Sequence, residues 1–132
     1  MGEREKDLQE LSPKQLKEEI IKALENPPFP IFKRSLKKIN NRDLLLKILQ
    51  SVLEINYDYT IGEMKTGNLR GIRTYKFIHD RVYYRLSYWV ENDGRITITY
   101  IDIMKREDSY DNLKKYFQSR KSLLKQINEN GR

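Results

Sequence analysis

Two runs of sequence decide the fold. They are Val82-Tyr83-Tyr84-Arg85-Leu86-Ser87-Tyr88-Trp89-Val90 and Arg95-Ile96-Thr97-Ile98-Thr99-Tyr100-Ile101-Asp102-Ile103, joined through Asn92-Asp93-Gly94. Both are dense in β-branched and aromatic residues, which suit a pleated, half-buried surface. Asn-Asp-Gly between such runs is a hairpin signal. A third strand is predicted over residues 72–79, before the short Asp80-Arg81 connection. Connections this short make neighbouring strands antiparallel. Alternation puts Val82, Tyr84, Leu86, Tyr88 and Val90 on one face, with Tyr83, Arg85, Ser87 and Trp89 on the other. The first set is expected to pack on helices. Arg85 is then expected on the far face, where a basic side chain stays wet.

Upstream, the period changes from two to 3.6 residues. Ser12-Pro13 reads as an N-cap followed by proline at the first helical position, opening a helix over about residues 13–25 with Leu16, Ile20, Ala23 and Leu24 in register. Asn26-Pro27-Pro28-Phe29-Pro30 ends it, because proline disfavours helical geometry in the residue before it. The same prolines exclude a central strand. Phe32, Leu36 and Ile39 form one helical stripe, and Leu45, Ile48, Leu49, Val52 and Leu53 form a second. Asn40-Asn41-Arg42-Asp43 separates them, with Asp43 as the expected N-cap. Gly62, Gly67 and Gly71 punctuate a polar loop between these helices and the strands. A last helix is expected over about 109–127. The sum is an α+β fold: a small antiparallel sheet against a helical hairpin, with an extra N-terminal helix and a C-terminal helix. Residues 1–30 read as a helical extension with a proline-rich linker, and 31–132 as the main domain.

The 132 residues carry 26 Lys plus Arg against 19 Asp plus Glu, for a net charge of +7. The charge is uneven. Residues 1–30 hold five basic and seven acidic groups, so the remainder carries +9. Such an excess favours a polyanionic partner. With 38% hydrophobic residues the chain can bury a core, though a thin one. There is no Cys, which excludes disulfides, Cys-ligated metals and a thiol nucleophile. One His excludes a multi-histidine metal site within one chain. The expectation is therefore no metal and no small-molecule cofactor. No apolar run approaches the ~20 residues of a membrane span, and Met1-Gly2-Glu3-Arg4 opens no signal peptide. A cytoplasmic protein with no membrane partner is expected.

No phosphate-binding glycine motif and no obvious carboxylate pair is present. What remains is a set of basic and aromatic side chains on the predicted sheet and its loops. RNA cleavage by the RNA's own 2′-hydroxyl needs no metal. It needs proton transfer at two oxygens and cations around the phosphorane-like transition state. Arginine suits that charge because its fork matches two phosphate oxygens.

Three segments carry a resemblance. Met64-Lys65-Thr66-Gly67-Asn68-Leu69-Arg70-Gly71-Ile72-Arg73-Thr74-Tyr75-Lys76 resembles the loop-to-strand entry of the RelE/ParE superfamily of bacterial toxins. Tyr84-Arg85-Leu86-Ser87-Tyr88 is similar to that family's central strand. Ile103-Met104-Lys105-Arg106-Glu107-Asp108-Ser109-Tyr110 is similar to its closing pattern, a basic residue about four positions before a tyrosine. Phe32-Lys33-Arg34-Ser35-Leu36-Lys37-Lys38-Ile39 resembles its first helix. The resemblance spans about residues 31–118.

It implies the toxin of a type II toxin–antitoxin system, held by a cognate antitoxin protein. Its RelE-like branch implies a metal-independent endoribonuclease, an mRNA interferase acting on the ribosome. Carried over, Arg85 and Arg106 hold the scissile phosphate, and Tyr110, or else Lys65 or Lys105, assists proton transfer. Arg73, Lys76, His79, Arg81, Lys105, Lys33 and Lys37 bind RNA. Two other readings stay open: a ParE-like toxin that poisons gyrase by protein contacts without nuclease activity, and a non-toxic basic nucleic-acid-binding module. For Arg85 itself, an ion pair with Asp102 or Glu91 is the structural alternative to a phosphate contact. The family opens with a β-strand, and here that place is taken by Pro27-Pro28-Phe29-Pro30-Ile31.

Overall fold

A computed structural model describes residues 10–67 and 71–105. The expected helix at 109–127 lies outside the described residues. Helix α1 spans Pro13–Ala23, α2 Pro30–Lys38 and α3 Arg42–Tyr57. A short 3-10 turn, Tyr59–Ile61, follows α3. The strands are β1 Glu63–Met64, β2 Ile72–His79, β3 Val82–Asn92 and β4 Ile96–Lys105. They form one antiparallel sheet in the order β1-β2-β3-β4. The α+β architecture is therefore as the sequence implies, with β1 as a strand that polar composition concealed.

Local chemistry explains the helix boundaries. At α1, the Ser12 hydroxyl accepts from the Gln15 N–H and the Gln15 side chain accepts from the Ser12 N–H. This reciprocal capping box, with Pro13 at the first position, fixes the start. At α3 the cap is Asn41, not Asp43: the Asn41 side chain accepts from the Leu44 N–H at 3.0 Å. Asp43 lies inside the first turn instead, where a carboxylate favours the positive end of the helix dipole.

The three helices cover one face of the sheet. Leu16 and Ile20 from α1, Phe32 and Leu36 from α2, and Leu45, Ile48, Leu49, Val52 and Ile55 from α3 share one core with Leu86, Tyr88, Ile98, Tyr100 and Ile103. The expected alternation on β3 holds on this side. On β4 it is interrupted. Ser87 pairs with Asp102 but Tyr88 pairs with Tyr100, so Ile101 is an extra residue in a bulge. The bulge lets Tyr100 and Ile103, three apart, both enter the core.

The proline-rich linker lies along the free edge of β4. The Phe29 N–H donates to the Tyr100 carbonyl at 3.0 Å, and the Asn26 side-chain amide donates to the Ile98 carbonyl at 3.2 Å. One step on, the Ile103 N–H donates to its neighbour's carboxylate, Asp102 Oδ1, at 2.7 Å. Pro27, Pro28 and Pro30 have no N–H to offer a ladder. A discontinuous seal thus stands where the resemblance implies a strand. No helix of the described residues is long and apolar enough to cross a membrane.

Candidate functional site

Strand register defines the face away from the helices. One row across it is Glu63, Thr74, Ser87 and Asp102, and the next is Lys76, Arg85 and Met104. Lys65 continues β1, its N–H donating to the Ile72 carbonyl at 2.8 Å. Three of the expected site residues, Lys65, Lys76 and Arg85, therefore share one face.

That face is not open in its middle. Arg85 lies on the expected side but is only 6% exposed, which corrects the expectation that it stays wet. Ser87, Thr74 and Asp102 beside it are buried to 3%, 2% and 1% exposure. Alternation assigns a side chain to a face; what else packs on that face decides whether water reaches it. Lys65 is likewise only 8% exposed. Its ammonium sits 3.6 Å from Glu63 Oε1, while Lys76 lies 3.8 Å from Glu63 Oε2. One carboxylate thus spans two of the candidate cations. Glu63 was not among the sequence-derived candidates, because nothing in the loop composition signals the two-residue strand that aims it.

The other candidates go elsewhere. Arg73 pairs with Tyr88 on the helix-facing side. Its Nη1 donates to the Gly62 carbonyl at 2.8 Å and the Thr60 carbonyl at 3.4 Å, and its guanidinium lies 5.8 Å from the Tyr59 ring centre. Those contacts fasten the turn before β1. His79 is half-buried at the end of β2, with its ring 6.5 Å from that of Tyr84. Arg81 is exposed in the β2–β3 turn, where both Asp80 and Arg81 have positive φ. Lys105 is exposed at the end of β4, and Lys33 and Lys37 are exposed on α2. Arg106 and Tyr110 lie outside the described residues.

Asp102 is a second group that sequence reasoning passed over as a site residue. Burial pushes its carboxyl up to about 6, against the opposing effects of the Ile103 N–H, the Ser35 hydroxyl and the Arg34 charge. Its Oδ2 is buried with no hydrogen-bond partner. The helix-side tyrosines are shifted as well. Burial raises the Tyr88 phenol, with the Gly62 N–H and Arg73 opposing. Burial also raises Tyr100, which stays a neutral donor to the Asn56 side chain at 2.8 Å.

A family model for the ParE-like toxin of type II bacterial toxin–antitoxin systems matches residues 27–114. The chain belongs to this family. The match includes both rows of the outer face and the helical hairpin beneath the sheet. No curated protein and no solved structure matches the chain. Membership makes this chain the toxin of such a pair and implies a cognate antitoxin as partner. Helix α1 precedes the matched segment, yet Leu16 and Ile20 are fully buried in the toxin core.

Proposed function

We propose that this toxin acts by binding its target, gyrase in the ParE-like reading, and does not itself cut RNA. The observation that carries the reading is the burial of Arg85 and Lys65. A cation that stabilises a scissile phosphate must be touched by it, within hydrogen-bond distance. Both side chains are almost closed to solvent, and Lys65 is already beside a carboxylate. The candidate cations that remain accessible, Lys33, Lys37, Lys76, Arg81 and Lys105, are spread over α2, β2, a hairpin tip and a strand end. Such a distribution suits docking on a large partner better than concentrating charge on one phosphate.

The ribosome-dependent nuclease remains the second reading. It is favoured by one observation, the cross-strand pairing of Lys76 with Arg85 on the outer face. Induced expression separates the two. The binding reading expects inhibited supercoiling by purified gyrase and intact messages. Mapping of mRNA ends that reveals new cuts at codon positions, lost in Arg85→Ala, overturns it in favour of the nuclease.

A further inference from the structure

We propose that the closed end of the β2–β3 hairpin is the surface by which the toxin seats on its target, and that it fits an acidic protein surface with an apolar pocket at its centre. This deepens the binding reading above and rests on it.

The hairpin end is pinned from behind. Asp80 and Arg81 close it with two positive-φ residues, the geometry that follows strand twist. Inside the turn, the Phe77 and Tyr84 rings stack across the strands at 5.5 Å and 11°, and the His79 ring lies 6.5 Å from Tyr84. The Lys47 ammonium ties α3 to the Ile78 carbonyl. A surface held this way loses little freedom when it binds.

The side chains at this end form an apolar centre with a cationic rim. Ile78 and Tyr83 pair across the strands on the outer face, and each is 46% exposed. Lys76 lies two residues from Ile78 on the same face, Arg81 is in the turn, and Lys105 stands opposite Tyr84 at the end of β4. Exposed Lys47 adds a further cation from α3. Among the described residues, the acids around them are Asp80 in the turn, Glu63, already between Lys65 and Lys76, and Asp43, 3.8 Å from Arg42. The rim is therefore positive, and the partner that complements it is acidic. An apolar pair inside such a rim is the arrangement in which a few central side chains carry most of the affinity.

The apolar pair also decides the class of partner. A phosphate backbone satisfies the cations but offers Ile78 no apolar area. A second copy of this chain, docked hairpin to hairpin, sets the same cations against each other.

The test compares full-length variants, checked for an unchanged melting temperature, by growth arrest on induction and by inhibition of supercoiling by purified gyrase. Ile78→Thr keeps a β-branched strand residue and removes most of the apolar contact. Arg81→Glu combined with Lys105→Glu reverses two exposed charges and leaves the apolar pair. The double variant keeps the test decisive if Ile78→Thr fails to fold. Each is expected to raise the toxin concentration for half inhibition at least about tenfold, and to relieve growth arrest. Added salt is expected to weaken the parent more than the charge-reversed protein. Tyr57→Ser, at the far end of α3 and 94% exposed in the parent, is expected to change neither readout. Hairpin variants as toxic as the parent overturn the proposal. So does an equal loss in Tyr57→Ser. So does an unimpaired Ile78→Thr when charge reversal abolishes retention on duplex DNA, which assigns the surface to nucleic acid. Growth arrest that depends on the hairpin, with gyrase unaffected, overturns the gyrase reading alone and supports the docking surface.

Discussion

Gly62 occupies a position that a methyl group cannot share. A Cβ there falls 2.2 Å from the Tyr88 hydroxyl oxygen, and that hydroxyl is held by the Gly62 N–H and the Tyr59 carbonyl. Gly62→Ala must displace a ring that is fully buried. We expect a loss of about 2 kcal/mol or more, read as a lowered urea midpoint with unchanged slope. Asp102 poses an electrostatic cost of another kind. Its carboxyl is raised from 3.8 to about 6, so the folded state holds this proton more tightly than the unfolded chain does. The group favours folding most below pH ~4, and that contribution is lost as pH rises through ~6. Asp102→Asn is therefore expected to stabilise the protein at neutral pH by about 2 kcal/mol, and to change little at low pH. Thermal melts of parent and variant at the two pH values check this. Neither residue was legible as special in the sequence. Gly62 reads as one of several loop glycines and Asp102 as an ion-pair candidate for Arg85, because tertiary packing gives each its environment.

The elements were more readable than the residues. Proline after serine, glycine after asparagine and aspartate, and two clean apolar periods located the helices and the three long strands. What sequence reading missed was short or irregular: β1 with two residues, and the bulge at Ile101. Neither has a periodicity of its own, since both arise from pairing with a neighbour. The β2–β3 turn is an element-scale test. Asp80 and Arg81 have φ of 49° and 66°, the two-residue geometry that matches hairpin twist. Aspartate tolerates that region better than arginine does. Arg81→Gly is expected to stabilise the hairpin by about 0.5–1 kcal/mol, visible as a raised melting temperature.

At the scale of the molecule, the uneven charge did point to a basic body, and the order of motifs did point to the toxin family. The site was less legible. Lys65, Arg73 and Arg85 look alike as basic residues around a strand, yet one is bound to Glu63, one fastens a turn and one is enclosed. Their roles depend on which neighbours the sheet supplies. The N-terminal helix shows the same dependence. Although it precedes the matched segment, it contributes Leu16 and Ile20 at 0% exposure to the core. Leu16→Ala is expected to cost about 2–5 kcal/mol of global stability. A single cooperative urea transition, shifted as a whole, is the expected observation. A separate early transition for the helix alone contradicts it.

The seal along β4 sets a valence for the whole molecule. A sheet with two bare edges is a bifunctional monomer, able to grow at both ends into a fibre. With Asn26, Phe29 and Asp102 occupying one edge, growth at both ends is blocked. Strand pairing can then add one partner and stop, as a chain terminator does in a polymerisation.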